Sequence, residues 1–119
     1  PISSVILPFL YAFSGVACIF LSSEIYSASF NVISIFSPEM NIVKIGFFHI
    51  IYAVLMRCIY VKSNDFYVSF LPIFAIYELG TFIFDLYVFS QFQIDHLLYT
   101  AVFHFGLFIL LMYERRIFR

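Results

Sequence analysis

Two carboxylates stand where an apolar environment should exclude them. Glu78 and Asp85 lie in the stretch YELGTFIFDLYVF, which is aromatic and apolar enough to sit in lipid. Seven residues apart, they fall on nearly the same face of a helix, with Thr81 between them. An unpaired charge at the bilayer centre costs roughly 2.5–3.5 kcal/mol on insertion scales, so that face must look onto protein or water. Lys44, His49, Arg57 and His104 are further ionisable residues set inside apolar segments.

Depth can be reckoned from the helical rise of about 1.5 Å per residue. His49 lies 13 residues before Lys62 and Glu78 lies 13 after Asp65. Both are then about 20 Å in from the 62–65 connection. His104, about 10 residues into the last segment from the opposite side, reaches the same level. His49, Glu78 and His104 together have the composition of a metal site, a haem-ligand pair or a proton relay. Interhelical hydrogen bonding that fixes packing needs fewer conditions and is the reading adopted. The ligand count is low, and there is no Glu-x-x-His pair of the di-iron kind. By the same reckoning Lys44 and Asp85 share a level near the far face and are expected to pair. Asp85→Ala should then be harmful, because it strands Lys44, and a Lys44/Asp85 double replacement should be milder. Arg57, about one turn inside its segment, is expected to snorkel to the surface; His96, at the start of the last segment, is expected near the membrane surface.

No catalytic constellation appears. The chain has no phosphate-cradling glycine loop, nucleophile elbow, CxxC or HExxH, so no catalytic, cofactor or metal residue is assigned.

The elements that must carry these residues follow from composition. Of 119 residues 64% are hydrophobic and 11% charged, and mean hydropathy is +1.04. That is too little charge to surface a soluble domain, so a bilayer is the better solvent. A net charge of −1 offers no basic patch to nucleic acid. Four apolar segments, 2–21, 42–61, 66–89 and 94–113, are each about as long as a membrane-crossing helix. The expected fold is all-α and integral to a membrane, a single domain over 1–119 with four transmembrane helices.

The longest connection contains EIYSASFNVISIF, with Glu24, Ser27, Asn31 and Ser34 spaced 3, 4 and 3. This predicts an amphipathic interfacial helix over 24–36, lying on the membrane or packed on the bundle. Ser37, Pro38 and Glu39 suit a helix start, and Asn64 or Asp65 is expected to cap the third helix. Pro72 is expected to kink that helix. Gly15, Gly46, Gly80 and Gly106, one per segment, suggest close helix contacts. Cys18 and Cys58 fall near opposite faces, which disfavours a disulfide. Arg57, Lys62, Arg115, Arg116 and Arg119 lie toward one side and Lys44 toward the other, placing both termini in the cytoplasm or matrix. The chain begins at Pro1 and not Met, so a processed or partial sequence is expected.

The run from VLMRCIYV through SNDFY to LGTFIFDLYVF resembles the family of ergosterol biosynthesis protein 28, a small four-span scaffold. Arg57 and Cys58, Asn64 and Tyr67, and Leu79, Gly80 and Phe82 take the family's positions. Asp85 stands where the family has Glu. Thr81 replaces a His, the hairpin is shorter, the first connection diverges and tryptophan is absent. The similarity covers 46–113 well and the preceding part weakly. It implies a non-enzymatic tether for sterol-synthesis enzymes in the endoplasmic reticulum.

The residues alone favour a non-catalytic accessory or scaffold subunit of a larger membrane complex. Its expected place is a respiratory or ATP synthase assembly of the mitochondrial inner membrane. Its partners are then other membrane subunits and structural lipids. The alternatives are the endoplasmic-reticulum tether and a haem- or quinone-associated anchor using His49 or His104.

Overall fold

The computed structural model describes residues 1–21, 38–93 and 95–118. The amphipathic segment 24–36 and Ser37 lie outside the described residues. Four helices follow in order: α1 (Ser3–Phe20), α2 (Pro38–Lys62), α3 (Asn64–Phe92) and α4 (Asp95–Phe118). All four are long and apolar enough to cross a membrane. Pro38 opens α2, as its fixed φ and missing N–H allow. The last two helices outrun their expected spans because polar ends such as Ser90, Gln91, Glu114 and Arg115 still satisfy their backbones helically.

The chain divides into two compact units, Pro1–Lys62 and Ser63–Arg119. In the first, α1 and α2 run antiparallel, as the contacts Ser4–Arg57 and Ser14–His49 show. The buried positions of α1 include Ser4, Leu7, Tyr11 and Gly15, and those of α2 include Ile42, Gly46, Ala53 and Met56. Steps of three, four and, from Gly46 to Ala53, seven make each set one stripe. The helices come closest at two glycines. A Cβ on Gly15 would lie 2.6 Å from the Gly46 carbonyl oxygen, and one on Gly46 would lie 2.6 Å from that of Gly15. Only hydrogen fits there. Cys18 and Cys58 are free thiols at opposite ends of this pair.

In the second unit α3 and α4 are also antiparallel, with Glu78 meeting His104 and the rings of Phe82 and Phe105 5.0 Å apart. The α3 stripe runs through Tyr67, Leu71, Phe74, Glu78, Asp85 and Val88; that of α4 through Leu97, Ala101, Leu107, Leu111 and Glu114. Ser63, not Asn64 or Asp65, caps α3. Its backbone is extended and its Oγ accepts from the Phe66 amide at 2.9 Å. Asn64 is already helical, and Asp65 sits in the first turn, where the helix dipole favours an acid. The helix continues through Pro72. It ends at Gln93, whose φ of 56° is left-handed. Gly80 and Gly106 meet nothing within 4 Å among the described residues, so the close-contact expectation holds for one glycine pair and not the other.

Candidate functional site: polar pairs inside the helix pairs

Glu78 is reached by building up α3 from its cap. Its place in the buried stripe takes it fully out of solvent, at 0% exposure. Its carboxylate finds a donor on α4. Glu78 Oε2 lies 2.5 Å from His104 Nδ1, and the His104 side chain is 16% exposed. With the carboxylate ionised, Nδ1–H donates, which fixes the ring's orientation and leaves Nε2 as the second functional nitrogen. The contact is short, and it joins groups that hydrocarbon would otherwise penalise.

Asp85, two turns on, is also buried, at 8% exposure. Thr81, between the two acids, is used locally, its Oγ1 donating to the Tyr77 carbonyl at 3.0 Å. Ser69, Ser90 and Thr100 likewise donate to carbonyls three residues back in their own helices. Such back-bonding lets hydroxyls enter an apolar medium without an interhelical partner.

His49 sits in the first unit. Its Nδ1 is 3.0 Å from Ser14 Oγ, and its ring meets Tyr11 edge-on at 5.2 Å between centroids. Tyr11 in turn packs edge-on against Tyr52 at 4.8 Å. Of the three residues expected at one level, the structure joins Glu78 to His104 and gives His49 a contact on α1. Lys44 and Asp85 belong to different units; the Lys44 ammonium lies 5.8 Å from the Phe48 ring centroid, a cation–π contact within α2. Arg57, expected to snorkel, also has a specific acceptor: its Nη1 donates to the Ser4 carbonyl at 2.9 Å, and its Cζ lies 5.0 Å from the Tyr60 ring centroid.

Ser4, Tyr11, Ser14 and Glu114 escaped the sequence reading. The signal for Glu114 was present: it continues the buried series Leu97, Ala101, Leu107 and Leu111 in helical steps. It stands directly before Arg115 and Arg116, which are exposed. Tyr11, Ser14 and Gly15 are likewise spaced as one face of α1.

Among the described residues no group of three or more His, Cys, Asp or Glu side chains is placed to hold a metal ion. The molecule is thus a chain of two membrane-length helix pairs, each with its own internal polar contact. Compared with known proteins, it matches no family model, no curated protein and no solved structure.

Proposed function

We propose that this chain is an integral membrane protein acting as a non-catalytic accessory or scaffold subunit of a larger membrane complex. One observation carries the reading: the helices turn most of their large apolar side chains outward. Phe9, Phe13, Phe20 and Tyr99 are among them, with Phe20 79% and Tyr99 75% exposed. Soluble monomers rarely expose apolar patches of such extent, and lipid or a neighbouring apolar subunit is the partner that such a surface fits. Among the described residues little lies outside the helices, and what they offer a partner is chiefly contact surface. The aromatic, lysine-poor composition favours a respiratory or ATP synthase assembly of the mitochondrial inner membrane, with both ends of the chain on the matrix side.

The endoplasmic-reticulum tether is the second reading. It rests on the motifs around Arg57, Asn64 and Leu79, which resemble the family of ergosterol biosynthesis protein 28. The third, a haem- or quinone-associated anchor, draws on the Glu78–His104 contact. A carboxylate on Nδ1 is what orients a histidine whose Nε2 binds a cofactor.

Native purification in mild detergent, with mass spectrometry of the copurifying proteins, tests all three. Respiratory or ATP synthase subunits are the expected companions. Sterol-synthesis enzymes would transfer the role to the endoplasmic reticulum. A Soret band lost on His104→Ala would establish the anchor instead. Recovery from the aqueous phase without detergent would overturn the membrane reading as a whole.

A further inference from the structure

Pro8 lies inside α1 and has no amide hydrogen. The carbonyl four residues back, on Ser4, therefore lacks its helical donor. Within a bilayer such a group cannot turn to water. The structure supplies a substitute from the other helix, since Arg57 Nη1 donates to that oxygen at 2.9 Å. Tyr60, three residues along α2, places its ring 5.0 Å from the guanidinium carbon. The two contacts hold the head group in one place.

A guanidinium carries five N–H donors in a planar fork, and Ser4 takes one of them. Arg57 is exposed, and the other donors of its fork are available to a further acceptor. Its level is that of the first turn of α1 and about 7–8 Å from the end of α2, the depth of a membrane's headgroup boundary. Lys62 adds a second cation at the same end of α2. Among the described residues of Pro1–Lys62 the one carboxylate residue is Glu39, at the opposite end of α2.

We propose that Arg57, pinned by the carbonyl that Pro8 orphans, is a docking point for the phosphate of an acidic membrane lipid. The inference rests on the integral-membrane reading. The chemistry is that of a preorganised fork on a phosphate oxygen pair at the membrane surface. The occupant is a phospholipid because the site opens where headgroups lie and is flanked, about one turn to either side on the same helix face, by the exposed apolar residues Val54 and Val61 that suit acyl chains.

The test separates the two tasks of Arg57. Pro8→Ala returns an amide donor to the Ser4 carbonyl, whose second lone pair still accepts from Arg57, so in that background the guanidinium stays placed but the helix no longer needs it. The intact protein, as the P8A, P8A/R57A and P8A/R57K variants and the wild type, is placed in mixed phosphatidylcholine–phosphatidylglycerol nanodiscs. The retained lipids are then counted by mass spectrometry after transfer to detergent. Wild type and P8A should retain phosphatidylglycerol equally. P8A/R57A, with helicity intact, should lose it about tenfold relative to phosphatidylcholine. P8A/R57K, which keeps the charge but not the fork, should fall between and remains informative if the alanine variant does not fold. Unchanged phosphatidylglycerol in a folded P8A/R57A or in P8A/R57K would overturn the proposal. So would displacement of the lipid by dilute inorganic phosphate, which would make a free anion the ligand. Wild type that stays in water without detergent would instead sink the membrane reading, a distinct result.

Discussion

At the scale of residues, the buried acids answer to a simple rule: a carboxylate inside an apolar helix pair needs a donor within reach. Glu78 has one in His104. Removing one partner leaves the other buried without its charge-assisted bond, which costs more than the bond is worth. In membranes such interhelical bonds average about 0.6 kcal/mol, with a maximum near 1.7, because the separated helices find other partners. Glu78→Ala should therefore destabilise the α3–α4 pair by about 1–2 kcal/mol. Glu78→Gln, which still accepts a hydrogen bond, should cost less. The double change with His104→Ala should cost less than the sum of the single ones. Denaturation in mixed detergent micelles reads all four proteins, and strict additivity would show that the contact carries no coupling.

Elements are set by their ends and by their points of closest approach. Ser63 accepts the Phe66 amide at the start of α3, and Ser63→Ala should cost about 1 kcal/mol. That loss should appear as faster amide exchange in the first turn. The glycines divide sharply. Gly15→Ala and Gly46→Ala each thrust a methyl to within 2.6 Å of a facing carbonyl oxygen, and either should lower the midpoint of thermal unfolding. Backbone cannot yield as a flexible side chain can. Gly80→Ala and Gly106→Ala enter open space and should be neutral or stabilising by up to about 1 kcal/mol, from helix propensity alone. If all four behaved alike, the α1–α2 crossing would not depend on its glycines. The segments themselves were legible in the sequence, because some 20 apolar residues in a row leave few other structures available to a chain. The cap of α3 was not, since Ser63, Asn64 and Asp65 are all good caps and the backbone entering the helix chooses among them.

For the whole molecule, the distribution of charge and apolar surface decides where it resides. Arg57 and Lys62 mark one end of the first pair, and Arg115 and Arg116 the C-terminal end of α4. Within the second unit, the antiparallel course brings Asn64 and Arg116 to the same end. Cysteines introduced at these two positions should react with an impermeant maleimide from the same side of sealed membranes, the matrix or cytoplasmic side. One introduced at Gln91, also exposed, should react from the other. Labelling of Asn64→Cys and Arg116→Cys from opposite sides would break the four-span topology.

The sequence by itself determined that the chain carries four segments of membrane-crossing length, which the described residues form as helices, and that Glu78 and Asp85 occupy the protected side of the third. Both follow from hydropathy and from the helical period, which depend on nothing distant in the chain. Only the tertiary structure decided that His104 meets Glu78, that Gly15 and Gly46 touch while Gly80 and Gly106 face open space among the described residues, and that Arg57 answers the carbonyl freed by Pro8. The physical reason is shared. Outside the Glu78–Asp85 face of α3 these helices are apolar nearly all round, so outward-facing and helix-facing positions carry nearly the same residues, and periodicity does not fix how each of the other helices is turned. Depth along a helix is arithmetic, whereas rotation about its axis is settled by close packing against its neighbour.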